Sequence, residues 1–324
     1  MDICKLFESK AKQLFWRTVD PAHATGGLTY LAIEPEKAYF TIRLCEMYLA
    51  AARKLWHQIY PTVHAFTKIG PVEIHTIAGP AQLHDLGDSN LDLLANLNIS
   101  LAGPLPYNGE EVSLLVGLYA IPGHDSAKVL IDIMASFTSL DPSAIGRASA
   151  LAVPIKNGIE GILGLDQATL HLGVRDSFNP ASHPLQSGYF IGVAASDQTI
   201  DMTQLWVVNG RLRKGKDPAS ATPYTDHDYL LLAIEHVDSR EEWSTLPELQ
   251  DLQKKFSTII SDVQFSAPEK RSRLAALWPA FVQALADSPN LTEPDCDRIS
   301  ALVSTGLIRS LTLQEERNPF LRAA

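Results

Sequence analysis

The sequence predicts an α+β fold: a mainly antiparallel β body, either a sandwich or a curled sheet, with a helical insertion and a C-terminal helical segment. Between residues 28 and 240, several segments alternate apolar and polar residues with the period of two that is typical of strands. Two Asn-Gly pairs, at Asn108-Gly109 and Asn209-Gly210, are hairpin signals. After Trp243 the apolar residues recur at helical spacing instead.

The N-terminal segment predicts an amphipathic helix. Its apolar residues fall near one helical face from Asp2 to about Arg17, and Asp20-Pro21 ends the pattern, so residues 1–20 are assigned to this element. The next segment has two interpretations. Tyr39 to Leu44 alternates as a strand, but the apolar residues from Leu44 onward also fit helical spacing, and we assign Glu46 to His57 to a helix.

Strands account for most of the β body. A tight pair is predicted around Gly70-Pro71, and the apolar run from Val112 to Ile121 predicts a central strand because both of its faces are apolar. The predicted strands are Val63–Ile69, Val72–Ile77, Leu97–Leu101, Val112–Ile121, Thr169–Val174, Gly188–Ala194, Leu205–Val208 and Tyr229–Val237.

A helical insertion is predicted at about 125–163, because Asp125 or Ser126 can cap one helix and Asp141-Pro142 can begin another. A parallel, doubly wound sheet would need helices between most strands. The later strands have only this one helical stretch among them, and this favours antiparallel pairing.

Residues 245–324 predict a helical segment. Three pairs resemble capping boxes, in which a Ser or Thr precedes an acidic residue by three positions: Thr245 with Glu248, Ser266 with Glu269, and Thr292 with Asp295. Each pair therefore predicts the start of a helix.

Composition excludes several classes of protein. The formal net charge is -10 and charged residues make up only 20% of the chain, so nucleic acid is not an expected partner. The three cysteines are far apart, which argues against a disulfide framework or a zinc ribbon. The N-terminus lacks a signal peptide's apolar core and no apolar stretch is long enough for a transmembrane segment, so a cytoplasmic protein is expected.

No motif indicates a cofactor. The glycine patterns of dinucleotide- and phosphate-binding loops are absent, as are the G-x-S-x-G elbow and the H-E-x-x-H metal motif. No cofactor is expected, and enzymatic activity is not the leading hypothesis.

Histidine and aspartate residues near predicted strand ends are the remaining candidates for chemistry. His84, Asp85, Asp226, His227 and Asp228 are candidate catalytic residues of a hydrolase, acting as an acid/base pair. Weaker candidates for zinc or manganese ligands are the three histidines His75, His84 and His171. None of their spacings matches a metal motif, and the competing interpretation is that these histidines are half-buried strand residues and the aspartates turn formers.

The leading functional hypothesis is a non-enzymatic adaptor or structural component that binds another protein through its helical end or its β body. The alternatives are the hydrolase or metal-dependent enzyme just described, and a membrane-acting effector that uses the Ala- and Gly-rich segment 144–163. The sequence leaves the oligomeric state open.

Overall fold

The structure is a computed structural model that describes residues 15–49, 59–78, 94–122, 169–196 and 199–317. The chain divides into two compact units. The β unit comprises Met1–Glu34, Phe40–Leu105 and Gly109–His236, and the helical unit comprises Pro35–Tyr39, Pro106–Asn108 and Val237–Ala324. The predicted α+β class is confirmed, with 13 strands in three mostly antiparallel sheets and three α-helices in the described residues.

Thirteen strands and three helices are numbered in chain order. The strands are β1 Phe15–Thr18, β2 Ala24–Thr25, β3 Tyr39–Tyr48, β4 Ile59–Ile69, β5 Val72–Ala78, β6 Leu94–Pro106, β7 Val112–Pro122, β8 Thr169–Phe178, β9 Gly188–Val193, β10 Leu205–Val208, β11 Arg211–Lys214, β12 Thr222–Pro223 and β13 Tyr229–Val237. The helices are α1 Pro247–Ser261, α2 Ala267–Ala286 and α3 Glu293–Arg317.

Three sheets make up the β unit. The central sheet has the order β1-β9-β13-β3-β6, the outer sheet has the order β5-β4-β7-β8, and the small sheet has the order β12-β11-β10-β2. One face of the central sheet forms a buried apolar cluster with Leu205, Val207 and Leu212 of the small sheet. Its other face meets the outer sheet, where Phe178 and Phe190 pack edge to face with ring centroids 5.7 Å apart. The central sheet is therefore the middle layer of three.

Burial on both faces explains the composition of the central strands. All six residues of β9 are buried, as are the first six residues of β13, so neither strand has a polar face toward water. The central sheet lies close to the outer sheet at Gly192, where an added Cβ atom would be 2.8 Å from Cγ2 of Val174. Glycine is required there because any side chain would overlap that methyl group.

Most of the predicted strands are confirmed. The apolar strand expected at the centre of the β body is β7, which is an inner strand of the outer sheet, between β4 and β8, and does not belong to the central sheet. Two helix predictions are wrong in part. Phe15–Thr18 pairs with β9 as a strand, whereas residues 1–14 of that predicted helix lie outside the described residues. Glu46 to Tyr48 belongs to β3, and residues 50–58 are not described. The predicted insertion at 125–163, and with it segment 144–163, also lies outside the described residues.

The two Asn-Gly signals have different outcomes. Asn209 and Gly210 have φ values of 51° and 72° and join β10 to β11 with Val208 opposite Arg211, which confirms the hairpin. The hairpin predicted at Asn108-Gly109 is wrong. The strands on its two sides belong to different sheets, β6 to the central sheet and β7 to the outer sheet. A turn dipeptide specifies local backbone geometry, and it does not specify the partner of each strand.

The helical unit packs its three helices around one apolar cluster. Phe256 of α1 and Phe281 of α2 lie at its centre with ring centroids 5.3 Å apart, and Ile299 and Leu311 contribute from α3. The spacing of these residues on each helix places them on one face, and burial of that face supplies most of the stability of such helices. None of the helices in the described ranges combines the length and the apolar character needed to cross a membrane.

Only one of the three predicted capping boxes is present. Ser266 and Glu269 exchange the expected hydrogen bonds at the start of α2. The box predicted at Thr245 is wrong, because α1 begins at Pro247 after Leu246 and Glu248 accepts hydrogen bonds from Ser288 and Asn290 instead. The carboxylate that the predicted box would have used is therefore bound by Ser288 and Asn290, just after the end of α2.

Tyr39 replaces the third predicted box at the start of α3. Its hydroxyl accepts a hydrogen bond from the Thr292 backbone N–H (3.0 Å) and donates one to Asp295 (2.8 Å). The fully buried Asp295 side chain also accepts from the Arg240 backbone N–H and, at 2.6 Å, from Nε of Arg298. Burial raises the pKa of Tyr39, so the phenol keeps its proton for the bond to Asp295. Asp295 thus joins three parts of the helical unit, the segment of Tyr39, the segment of Arg240 and α3 itself, rather than closing a local box.

Replacement of Gly192 by alanine tests the contact between layers. The added methyl group has no room beside Val174, and overpacking of this kind costs about 1–3 kcal/mol. We expect Gly192→Ala to lower the free energy of unfolding by that amount in urea titrations followed by circular dichroism. The control is Gly306→Ala, which adds the same methyl group where no atom lies within 4 Å. Equal stability of Gly192→Ala and the wild type would contradict the close approach.

Candidate functional site

The structure brings together one pair of the predicted site residues, His171 and Asp228. Nδ1 of His171 lies 2.9 Å from Oδ2 of Asp228, and the two side chains are 20% and 13% exposed. His171 belongs to β8 of the outer sheet, and Asp228 directly precedes β13 of the central sheet. The pair therefore links two layers of the β unit at a place where water can still reach the imidazole.

A β-bulge places His171 in this position. Leu118 pairs with Leu172 and Tyr119 pairs with Leu170, so His171 is the extra residue between them. A bulge of this kind redirects one side chain while the strand on either side keeps its pairing. His171 points to Asp228 as a consequence, although both neighbours of His171 in the strand are buried apolar residues.

The other residues of the Asp226-His227-Asp228 run have separate partners. Asp226 forms an exposed ion pair with Nζ of Lys214 at 2.7 Å. Nδ1 of His227 lies 2.8 Å from the hydroxyl of Tyr224. Burial raises the pKa of Tyr224 to about 12, so its hydroxyl stays protonated. Three consecutive residues thus point to three different places, as expected where a polar turn leads into a strand.

His75 belongs to a different environment. It lies on β5, and its Nδ1 is 3.3 Å from Nε2 of His64 on β4. The two buried rings are stacked, with centroids 5.5 Å apart. Burial, reinforced by the neighbouring His75, lowers the pKa of His64 to about 3, so His64 is neutral at physiological pH. His64 and His75 are diagonal neighbours on one face of the sheet, because His75 pairs with Phe66 and His64 pairs with Ile77. His75 was predicted as a candidate and His64 was not, although the alternation of β4 and β5 around one tight turn places both on the same face.

The predicted histidine site does not assemble from His75 and His171. Strands β5 and β8 are separated by β4 and β7, which places them about 14 Å apart at the usual strand spacing. His84 and Asp85 lie outside the described residues. In the described ranges, no three His, Cys, Asp or Glu side chains come close enough to hold a metal ion.

The His171–Asp228 pair has the geometry of a general base and the group that orients it. A carboxylate at Nδ1 fixes the ring orientation and favours the tautomer that carries its proton on Nδ1, which leaves the lone pair on Nε2 to accept a proton. In the described part of the chain, the bond to Asp228 is the only hydrogen bond of this ring. The tautomer is assigned here from the hydrogen bond. The pair can support acid/base chemistry, but it is not accompanied by a nucleophile or an oxyanion hole in the described residues.

A buried carboxyl group, Glu46, was not recognised in the sequence. It lies on β3 and is fully buried, with Oε2 accepting hydrogen bonds from the Leu212 backbone N–H (2.7 Å) and the Tyr229 hydroxyl (2.8 Å). Leu212 is on β11, and the two-residue strand β12 pairs only with the residues after it, Arg213 and Lys214. The carboxyl group of Glu46 therefore binds the Leu212 N–H in place of a strand partner. The other oxygen, Oε1, has no hydrogen-bond partner. The sequence signal for this site was a single acidic residue, Glu46, within a run of apolar residues.

The environment of Glu46 favours its neutral form. Burial raises the pKa of Glu46, against the smaller opposite effects of its two hydrogen bonds and of Arg211 and Arg213. Because the charged form is the costly one in the folded protein, Glu46 makes stability depend on pH.

Comparison with known proteins adds no relative: no protein-family model matches the chain, and no curated protein matches it either.

Replacement of Glu46 by glutamine tests this dependence on pH. The folded-state pKa of Glu46 is raised, so its contribution to stability is fully present below the unfolded-state pKa of about 4.3 and is lost as pH rises through the folded-state pKa. Glutamine keeps an oxygen for Leu212 and Tyr229 and cannot ionise. We therefore expect Glu46→Gln to become progressively more stable than the wild type between pH 4 and pH 8 in urea titrations.

The matched control is Glu73→Gln, which removes an exposed carboxyl group that pairs with Lys68. We expect this variant to keep the wild-type slope of unfolding free energy against pH. Parallel curves for Glu46→Gln and the wild type over the whole range would show that the buried carboxyl group is not responsible.

Proposed function

We propose that this protein is a non-enzymatic component of a protein assembly and that its helical unit binds another protein through the outer face of α3. The observation that carries the proposal is an exposed helix surface with a single charged residue. We define the outer face of α3 by the exposed positions from Ala301 to Leu313, which follow the exposed acidic residues Glu293 and Asp297 of the first two turns: Ala301, Leu302, Thr305, Gly306, Ile308, Arg309, Thr312 and Leu313.

The outer face exposes large apolar side chains. Leu302 is 54% exposed, Ile308 is 66% exposed and Leu313 is 43% exposed. A surface helix in a monomer usually presents charged or polar residues on this side. Arg309 is the only charged residue on the face. Apolar residues that gather on one exposed face are typical of an interaction site.

The opposite face of the same helix is already used. Ile299 and Leu311 are buried in the core of the helical unit, and Val303 and Leu307 pack against that core. Helix α3 is therefore apolar on both sides over these turns. A helix with this pattern is normally buried on both sides, and a partner protein would bury the outer side.

Gly306 supports the same conclusion. A glycine inside a helix costs about 1 kcal/mol relative to alanine. Packing among the described residues does not require it, since none of their atoms lies within 4 Å of the place where a Cβ atom would be. A closely approaching partner backbone would give this position a reason to lack a side chain.

Photo-cross-linking tests the proposed surface. We expect a benzoylphenylalanine residue at position 308, introduced in cells that naturally contain the protein, to give one discrete cross-linked product, because Ile308 is the most exposed side chain of the face. The product is detected by gel shift and identified by mass spectrometry. Ile308→Lys, combined with the probe at position 302, should abolish that product.

The control carries the same probe at position 219, where Ala219 lies exposed in the loop after β11. Equal cross-linking from positions 308 and 219, or no discrete product from 308, would contradict an interaction site on α3.

One observation favours a second candidate function, a hydrolase. It is the partly buried His171 that a β-bulge directs onto Asp228. Asp228 was predicted as a catalytic residue and His171 as a weaker metal ligand; in this candidate function His171 would be a general base that acts on water or on a hydroxyl group of the substrate.

A substrate panel separates the two candidates. If the second function holds, purified protein cleaves at least one of the p-nitrophenyl acetate, butyrate and phosphate esters, and Asp228→Asn and His171→Gln each lower the rate by about 10²–10⁴-fold, the usual contribution of general base catalysis. His227→Gln is the matched control because its ring bonds to Tyr224 instead. Cleavage that survives both substitutions would exclude His171 as the base.

A further inference from the structure

A groove between α1 and α2 forms a second surface on the helical unit, separate from the outer face of α3. Its volume is about 530 Å³. We call it the α1–α2 groove, and its lining residues are Lys254, Lys255, Thr258, Ile259, Arg273, Ala276 and Leu277. The lining thus combines three cationic side chains with three apolar ones, and it contains no acidic residue.

The three cations of the groove form no close ion pair within the described residues, although Glu269, whose pKa is lowered first by its hydrogen bonds with Ser266, is near enough to Arg273 for the guanidinium group to lower the pKa of that carboxyl group further. Lys254, Lys255 and Arg273 are exposed, and none of them forms an ion pair in the described part of the chain. This contrasts with Lys214, which pairs with Asp226, and Arg298, which pairs with Asp295. Unpaired cations grouped at one groove are unusual in a chain whose formal net charge is -10.

The ring of Phe265 holds Arg273 in place, and Glu269 interacts with the arginine only through space. Its guanidinium carbon lies 3.7 Å from the centroid of the Phe265 ring, in a cation–π contact. Aromatic stacking fixes the guanidinium group and leaves its N–H donors available. Lys270 differs from the groove cations because it is buried and donates to the Ile260 carbonyl oxygen at 2.8 Å, near the end of α1.

The groove is preformed by the packing of its two helices. Phe256 of α1 contacts Trp278 and Phe281 of α2, with ring centroids 6.2 and 5.3 Å apart. The capping box of Ser266 and Glu269 fixes the start of α2, and the Lys270 bond fixes the end of α1. A partner would therefore meet a surface that needs little reorganisation, which lowers the entropic cost of binding.

We infer that the α1–α2 groove binds an acidic amphipathic helix of a partner protein. The apolar side of that helix lies on Ile259, Ala276 and Leu277, and its carboxylates face Lys254, Lys255 and Arg273. A groove between two helices with an apolar floor is a known way to hold such a helix. Charge complementarity at the rim sets the choice of partner and speeds encounter. A nucleic acid fits less well, because three cations neutralise few phosphates and the apolar floor would stay unused.

This inference rests on the proposed function only in that both assign protein binding to the helical unit. The surfaces are different, since the outer face of α3 is apolar and contains one cation, whereas the α1–α2 groove is rimmed by three. Each surface can therefore be tested without the other.

The test is fluorescence anisotropy with the full-length protein and a synthetic 18-residue peptide that forms a helix with one leucine face and one glutamate face. We expect saturable binding that weakens as salt rises, because exposed charges are screened. The double variant Lys254→Glu/Lys255→Glu should weaken binding by about tenfold or more, because two attractive charges at the rim of the groove become repulsive. Arg273→Gln should weaken it less.

Matched controls locate the effect. Lys216→Glu reverses an exposed charge in the loop after β11, outside both proposed surfaces, and should leave peptide binding unchanged, and circular dichroism checks that each variant keeps its helix content. A scrambled peptide of the same composition should bind more weakly. No saturable binding, equal binding by the double variant, or stronger binding to a DNA 20-mer or to phosphatidylserine vesicles would overturn the inference.

The two proposals fail in different ways. If the protein does not bind the peptide but still gives the cross-link from position 308, the binding role of the α1–α2 groove is rejected and the proposed function is kept. If the protein binds the peptide but gives no cross-link from position 308, the binding role of the groove is kept and the outer face of α3 is rejected as the interaction site.

Discussion

Burial of the central sheet on both faces is the constraint on which the β unit depends. Because β9 and β13 contact a sheet on each side, their side chains have no exposed face in which polar residues would be tolerated. Polar groups that are buried in this layer need hydrogen-bond partners, and some of them find one in a neighbouring sheet. Glu46 finds Leu212 of the small sheet, and Asp228 finds His171 of the outer sheet. Both notable polar contacts of the β unit are thus consequences of one layered arrangement.

Sequence patterns predicted the strands well, because alternation and apolar runs reflect burial directly. They predicted pairing less well. The Asn209-Gly210 hairpin was correct and the Asn108-Gly109 hairpin was wrong, since a turn signal is local and the choice between two sheets depends on distant contacts. The capping boxes show the same limit. Ser266 has only Glu269 within reach and forms the box, whereas Asp295 has partners in Tyr39, Arg240 and Arg298 that no local rule contains.

The candidate site could be predicted only as residue types. His171 and Asp228 were both named, but their contact depends on a bulge that appears in no local pattern. Glu46 was not predicted, because a single acidic residue in an apolar strand is expected to face solvent at the edge of a sheet. Its burial is apparent only when the small sheet that covers this face of β3 is known. The interaction surfaces on α3 and between α1 and α2 were also beyond the sequence, since exposure of Ile308 and Lys255 depends on how three helices pack.

The bond between Tyr39 and Asp295 means that the helical unit is not a contiguous piece of chain. A fragment that begins at Val237 would retain all three helices and lack the phenol that caps α3 and shares the buried carboxylate. Excision would therefore leave Asp295 short of one donor and the Thr292 amide without its acceptor, a loss of about 1–3 kcal/mol for each buried group left unsatisfied. Any fragment prepared to contain the helical unit alone must therefore include Pro35–Tyr39 as well as the three helices.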